Sequence, residues 1–217
     1  LVSAISGFSH LVTTQPSDIY PADASYDETD RRMECNGNVI NRVCIDPRNT
    51  GLWVAGIRVN GNNPIFNFAG EGITGSVEYT LRTKVLTLTN ASISGGDGFA
   101  IRSNVPGLKI KLVGSNTISG DGGIVASRNF EMQDEGTLQL NNEGHGILAL
   151  DDLGISQCSI NSGCCSVYGN MALTNSALNV QANSNAISGQ QGKTLSVNGS
   201  DVSARNNAFS TSAISGF

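Results

Sequence analysis

Apolar and polar residues alternate in short stretches from about Leu86 onward, and these stretches recur every 20 to 24 positions. Each recurrence contains a strand-like alternation, a turn of small polar residues, and a small residue followed by an apolar one. Alternation with a period of two indicates a strand that buries one face. We place the small-apolar pairs at intervals of 23, 23, 20, 20 and 22 residues: Ala100-Ile101, Gly123-Ile124, Gly146-Ile147, Ser166-Val167, Ala186-Ile187 and Ala208-Phe209.

A repeat of about 22 residues without helical spacing indicates a solenoid of stacked coils. Equivalent residues of stacked coils lie about 4.8 Å apart, so aliphatic side chains share one internal column. Asn and Ser residues in the turns can then form hydrogen bonds to the next coil through their side chains or backbone. We predict an all-β fold, a right-handed parallel β-helix of about six rungs with 20 to 24 residues each. The prediction requires one shared core for four residues of different strands: Leu88, Leu112, Leu140 and Val180.

Two segments precede the repeat and predict small β-strand and hairpin caps. In residues 51–84, GLWVAGIRVN is predicted as one strand that packs Trp53 into an N-terminal cap. This packing is favoured over the alternative, in which Trp53 is a platform for stacking sugars. A hairpin that turns near residues 81–83 then leads into the first rung. Residues 1–50 predict short strands separated by Asp and Pro, with a turn at Asn36 and Gly37.

The hexapeptide SAISGF occurs at residues 3–8 and again at residues 212–217, an offset of 209. We interpret this as the mark of a tandem array. Residues 1–50 are then the last rung and C-terminal β-hairpin cap of a preceding unit. Residues 51–84 are the N-terminal cap, and residues 85–217 are the rungs of the next unit. The alternative is a single protein whose first strand resembles its last.

The composition excludes some partners. Charged residues make up 14% of the chain and the net charge is -5, whereas phosphate binding needs a basic face. We therefore expect no nucleic-acid partner. No run of 18 apolar residues occurs, so we expect no membrane-spanning segment. An acidic chain rich in Ser, Thr and Asn is typical of the extracellular space or the cell surface.

The chain has five cysteines and no metal-binding spacing of the CxxC kind. Cys35 and Cys44 flank a short loop, and they form either a disulfide or two small buried thiols. Cys164 and Cys165 fall at a solenoid turn, where packing is favoured over thiol reactivity. His145, between two glycines, is interpreted as a turn residue in preference to a general base.

The turns also carry a column of carboxylates: Asp97, Asp121 and Glu143. Carboxylates on adjacent rungs suit calcium, which takes six to eight oxygen ligands. We favour the interpretation that the three carboxylates are solvated turn residues. Their positions are offset from one turn to the next, and the turns around them are rich in glycine. We predict no cofactor, with calcium as the one alternative.

Several segments together resemble the secreted carbohydrate-binding-domain-containing β-helix repeat proteins of gut and cellulolytic bacteria. The resemblance is carried by LWVAGIRVN, GITGSVEYTLRTKVLTLTNASI and LKIKLVGSNTISGDGGI. Residues 19–45 also resemble the closing appendage of that family. The match is loose after Asp152. The resemblance implies a secreted or surface protein that binds polysaccharide, sometimes with calcium, and it transfers no binding residues.

We therefore expect a non-catalytic extracellular or cell-surface module that binds polysaccharide or host glycan. Arg102 and Tyr168 are the outward side chains predicted to contact the ligand. Neighbouring tandem units, or end-to-end contacts between chains, are the other predicted partners. A structural spacer or adhesin stalk is the first alternative, and a polysaccharide lyase-like enzyme is the second.

Overall fold

A computed structural model describes residues 19–20, 24–40, 44–45, 51–59, 64–207 and 212–217. The chain divides into two compact units. One comprises residues 1–50 with 60–62, and the other comprises residues 51–59 with 63–217. The first copy of SAISGF lies outside the described residues, and the assignment of the first unit to a preceding tandem copy stays a prediction.

The described residues of the first unit form five short strands. They are β1 (Ile19–Tyr20), β2 (Ala24–Asp27), β3 (Arg32–Cys35), β4 (Asn38–Val39) and β5 (Cys44–Ile45). β1 pairs antiparallel with β5, and β2, β3 and β4 form an antiparallel meander. Asn36 and Gly37 have φ values of 50° and 73°, which are typical of a two-residue hairpin turn. The predicted turn at these residues is confirmed.

The second unit is a parallel β-helix, so the predicted fold class is confirmed. Its described residues form six rungs, and each rung contributes a strand to each of three faces. The first rung consists of β10 (Val85–Ser94), which bends across faces A and B, and β11 (Phe99–Ser103) on face C. No helix in the described part of the chain is long and apolar enough to cross a membrane.

The remaining rungs continue these faces. Face A continues through β12 (Leu108–Val113), β15 (Phe130–Gln133), β18 (Leu153–Ser156), β21 (Met171–Thr174) and β24 (Leu195–Asn198). Face B continues through β13 (Ser115–Gly120), β16 (Thr137–Asn142), β19 (Ser159–Ser162), β22 (Ala177–Ala182) and β25 (Asp201–Asn206). Face C continues through β14 (Gly122–Ala126), β17 (Ile147–Ala149), β20 (Cys165–Val167), β23 (Ile187–Ser188) and β26 (Ile214–Ser215).

One apolar core runs through the rungs because every strand turns alternate residues inward. On face C, five successive inward residues are in parallel register and are fully buried: Ile101, Ile124, Ile147, Cys165 and Ile187. The same core contains the four residues that the sequence prediction required: Leu88, Leu112, Leu140 and Val180. The shared core is therefore confirmed.

Of the six predicted small-apolar pairs, the fourth was assigned to the wrong residues and the sixth cannot be placed. The fourth rung turns Cys165 inward after Cys164, whereas the sequence prediction chose Ser166-Val167. Ala208-Phe209 lies outside the described residues, and the sixth rung pairs Ile214 with Ile187. The intervals between inward residues 101, 124, 147, 165, 187 and 214 are therefore 23, 23, 18, 22 and 27. The error arose because a thiol that packs as a small apolar group was interpreted as a turn residue.

Buried Asn116, near the start of β13, shows how polar side chains connect neighbouring rungs. Its Oδ1 accepts a hydrogen bond from the Ala91 N–H at 2.9 Å, and its Nδ2 donates to the Thr137 carbonyl at 3.3 Å. Asn116 is 2% exposed, so these bonds satisfy polar groups that water does not reach. The predicted bonding between turn side chains and the next coil is confirmed at Asn129, whose Oδ1 accepts the N–H of Gly107 on the neighbouring rung at 3.2 Å.

An antiparallel cap covers the first rung. It consists of four strands: β6 (Leu52–Val54), β7 (Ile57–Arg58), β8 (Ile65–Phe68) and β9 (Ile73–Thr80). β9 pairs with β10 along both faces A and B, and β6 pairs with β11 on face C. The hairpin predicted to turn near residues 81–83 is confirmed by the pairing of β9 with β10.

The prediction that GLWVAGIRVN forms one strand is wrong. Ala55 and Gly56 have φ values of 46° and 75°, so the segment folds back as a tight hairpin. Consequently Leu52 and Val54 are buried, while Trp53 is half-buried and points to the outer side of the cap. The predicted packing of Trp53 into the cap core is also wrong.

Replacing Leu138 by Ala should lower the free energy of unfolding by about 2–5 kcal/mol, because it leaves a cavity in the core. Leu138 is fully buried in β16, and the adjacent Gln139 is exposed. Gln139→Ala is the matched control and should change the free energy by no more than about 0.5 kcal/mol. Urea denaturation measures both, and equal losses in the two variants would contradict the inward-outward assignment.

Candidate functional site

Two rows of outward side chains on face B are mainly amides and hydroxyls, and we call this surface the polar face. The third outward row of face B, which ends in Ala177 and Asp201, is not part of it. Parallel register aligns equivalent residues of successive rungs on this surface. Its first row contains Ser92, Thr117, Gln139, Asn161, Asn179 and Ser203. Its second row contains Ser119, Asn141, Gln181 and Arg205. Charge enters these rows only at Arg205 in the last rung.

Amide side chains of the polar face hold one another in place. Asn179 Nδ2 donates to Asn161 Oδ1 at 3.2 Å, which joins two rungs. Gln139 Nε2 donates to Asn141 Oδ1 at 3.0 Å within one rung. An amide has two N–H donors and an oxygen with two lone pairs, so one such bond leaves capacity for further bonds. The surface therefore presents donors and acceptors in positions that are already fixed.

A shallow depression of about 470 Å³ lies within the polar face. Five amide side chains line it: Gln139, Asn161, Asn179, Gln181 and Asn207. Gly163 also lines the depression, and it has no side chain to fill the space between its neighbours. The depression is therefore neutral and rich in hydrogen-bonding groups.

Arg102 and Tyr168, the predicted ligand contacts, lie away from the polar face and are not brought together. Arg102 is on the first rung, in β11, and pairs with Trp53 of the cap. The guanidinium carbons of Arg58 and Arg102 lie 5.7 and 5.8 Å from the centroid of the Trp53 ring, at cation–π distance. Tyr168 follows β20 on the fourth rung and is 51% exposed, beside Leu150 on the preceding rung, which is 47% exposed. Their roles in ligand binding stay predictions.

Asp97, Asp121 and Glu143 lie on the turns of the first three rungs, and all three are exposed. The turns stack through the backbone, as where the Gly144 N–H donates to the Asp121 carbonyl at 2.8 Å. The three carboxylates are not among the described groups whose ligand atoms lie within 4.8 Å of one another. Calcium binding there would require these side chains to converge, and it stays a prediction.

A cluster of acidic groups that does converge is found in the first unit, at Asp27, Asp30 and Glu34. Arg32 offsets its charge, because its guanidinium lies 2.7 Å from a carboxylate oxygen of Asp30 and 2.7 Å from one of Glu34. Asp27 Oδ1 accepts the backbone N–H of Thr29 at 2.8 Å. These contacts explain the cluster as a turn held together by its own ion pairs.

The described thiols differ in their surroundings. Cys35 has a free thiol, and the side chain of Cys44 lies outside the described residues, so a disulfide between them stays a prediction. Burial raises the pKa of Cys158 to about 11 and the pKa of Cys165 to about 12. Cys164 is half-buried, and burial also raises its pKa. Cys158 and Cys165 therefore behave as packing residues.

Cys164 Sγ lies 3.7 Å from Nδ1 of His145, a contact that the sequence analysis missed. The alignment of successive rungs could have predicted this contact. Once Cys165 is aligned with Ile147, Cys164 aligns with Gly146, and His145 directly precedes that position one rung earlier. The wrong choice of the fourth small-apolar pair concealed this proximity.

Comparisons of this chain with protein-family models, curated proteins and solved structures found no match. The polar face can form many hydrogen bonds to a neutral polar ligand along the direction in which the rungs stack.

The buried Cys165 thiol predicts a loss of stability in alkali. Because its pKa is about 12 in the folded chain and 9.0 when exposed, the unfolded chain loses this proton first as the pH rises. Its contribution is fully present below pH 9 and is lost as the pH rises toward 12. Between pH 8 and pH 10 the loss should be on the order of 1 kcal/mol.

Urea denaturation of the wild type and of Cys165→Ala at both pH values measures this contribution. The variant should be less stable than the wild type at pH 8, but its free energy of unfolding should fall by on the order of 1 kcal/mol less between the two pH values. Tyr79 and Cys158, whose pKa values burial also raises, account for a decline that both proteins share. Parallel declines of equal size would show that Cys165 is not held protonated in the core.

Proposed function

We propose that this chain is a non-catalytic, extracellular or cell-surface module that binds polysaccharide or glycan through its polar face. The supporting observation is the row of in-register amides around the depression, with Asn161 and Asn179 bonded to each other at 3.2 Å. Sugar hydroxyl groups are neutral and both donate and accept hydrogen bonds. Amide side chains match both requirements.

The side chains of the polar face are already held in place, which favours binding. A side chain that is already held in place loses less conformational entropy when a ligand binds, so less of the binding free energy is spent on ordering. The bonds between Gln139 and Asn141 and between Asn161 and Asn179 supply this order. The rigid parallel sheet beneath them fixes the spacing of successive rungs at about 4.8 Å.

The shape of the face favours an extended ligand. Equivalent polar residues recur over six rungs along the stacking direction, so a chain of sugars laid along it meets similar groups at each step. Each neutral hydrogen bond contributes a modest net amount, about 0.5–1.5 kcal/mol, so affinity requires several of them. A short sugar should therefore bind more weakly than a polymer of the same sugar.

A glycan array probed with the purified chain tests the proposal. We expect binding to neutral polysaccharides that survives chelation of divalent cations and releases no product. The double variant Asn161→Ala/Asn179→Ala should weaken the affinity about tenfold or more, because two bonding amides are removed. Titration of the array hits by calorimetry measures the change.

Tyr168→Ala is the matched control, since it removes an exposed side chain of another face, and it should keep the wild-type affinity. If Tyr168→Ala lost binding while the double variant kept it, the ligand would lie on the side of Arg102 and Tyr168. If no glycan bound, the spacer or stalk would be the better account. Product release during incubation would instead favour the lyase-like enzyme.

A further inference from the structure

Three polar side chains converge at the edge of face C, outside the polar face: His145, Cys164 and Ser166. Cys164 Sγ lies 3.7 Å from His145 Nδ1 and 3.8 Å from Ser166 Oγ. Ser166 Oγ lies 3.4 Å from His145 Nδ1. The three atoms therefore form a nearly equilateral triangle of one sulfur, one nitrogen and one oxygen.

The size of this triangle matches one face of a tetrahedral metal site. With bonds of about 2.3 Å to sulfur and about 2.0–2.1 Å to nitrogen, tetrahedral geometry separates the two ligand atoms by about 3.6 Å. A nitrogen and an oxygen ligand at similar bond lengths are separated by about 3.4 Å. The observed edges are 3.7, 3.8 and 3.4 Å, so the side chains need only small shifts to share a cation.

The fold holds the three groups at these positions. Cys164 is fixed by its backbone, since its carbonyl accepts the Ile147 N–H at 2.9 Å. Ser166 is held by Ser188, whose hydroxyl donates to Ser166 Oγ at 2.9 Å. Gly146 allows the histidine turn to approach, because a Cβ there would lie 2.0 Å from Ser162 Oγ.

The triangle is open to solvent on one side. His145 and Cys164 line a depression of about 390 Å³ that Glu143 also lines, so the same depression contains a carboxylate. A cation can reach the sulfur and the nitrogen from this side, and water can complete its coordination.

We propose that Cys164 and His145 bind a borderline or soft divalent cation of the zinc type, with the Ser166 hydroxyl as a third donor. Binding forms a bond from the cation to the Cys164 thiolate and a bond to His145 Nδ1, and it releases the thiol proton to solvent. Thiolate and imidazole are the donors that zinc prefers, whereas calcium and magnesium prefer oxygen. The site therefore uses different ligands from the calcium prediction for Asp97, Asp121 and Glu143, although Glu143 lines the same depression.

Titration of the reduced full chain with Co²⁺ tests the proposal, because Co²⁺ takes the place of Zn²⁺ and reports its ligands by absorption. We expect one equivalent to give a thiolate-to-cobalt charge-transfer band and the intense visible bands of four-coordinate cobalt, both displaced by Zn²⁺. Cys164→Ser should abolish the charge-transfer band. His145→Gln should weaken binding at least about tenfold, the loss that removal of even an outer-shell partner causes.

The matched controls are Cys35→Ser, which removes a free thiol of the first unit, and His10→Gln, which removes the other histidine of the chain. Both should keep the wild-type spectrum and affinity. Circular dichroism and thermal unfolding without metal show whether Cys164→Ser is folded. A wild type that develops no charge-transfer band, or a folded Cys164→Ser that keeps it, would overturn the proposal and leave the contact as an ordinary thiol–imidazole hydrogen bond.

Discussion

The structure depends on the parallel, in-register stacking of rungs around one apolar column. A single rung cannot shield its own apolar side, so each rung is stable only between neighbours that continue the column. Ile101, Ile124 and Ile147 show the rule in its simplest form, since identical side chains lie directly above one another and are fully buried. The antiparallel cap completes this arrangement at the first rung, where β6 and β9 pair with the strands that no earlier rung covers.

The same stacking creates both surfaces to which we assign chemistry. Inward apolar residues recur in every rung because each rung packs its apolar side chains against those of its neighbours. The outward residues between them are then aligned in the same register. On face B this aligns amides such as Asn161 and Asn179, 18 positions apart, into a surface that can bind along its length. At the edge of face C it brings His145 next to Cys164, 19 positions away. Neither pair is close in sequence, and both follow from the register of the rungs.

The sequence predicted the elements that repeat and failed where the chain departs from the repeat. The alternation of apolar residues was enough to identify the β-helix, its common core and the hairpin before the first rung. It did not identify the turn at Ala55 and Gly56, because two residues with positive φ interrupted a pattern that otherwise resembled one strand. It also misplaced the fourth rung, because hydropathy alone does not show that Cys165 is fully buried. The sequence did not identify the amide row of face B, because outward residues can be aligned only when the register of the rungs is known. The roles of Arg102 and Tyr168 stay predictions.

The central claim is that successive rungs place their inward side chains in contact within one column. Nuclear Overhauser contacts between the isoleucine methyl groups of the folded chain test it most directly. The account predicts cross-peaks between Ile101 and Ile124 and between Ile124 and Ile147, with none between Ile101 and Ile147, which are two rungs apart. Absence of the two neighbouring cross-peaks from a folded, well-dispersed spectrum would contradict the stacking and everything inferred from it.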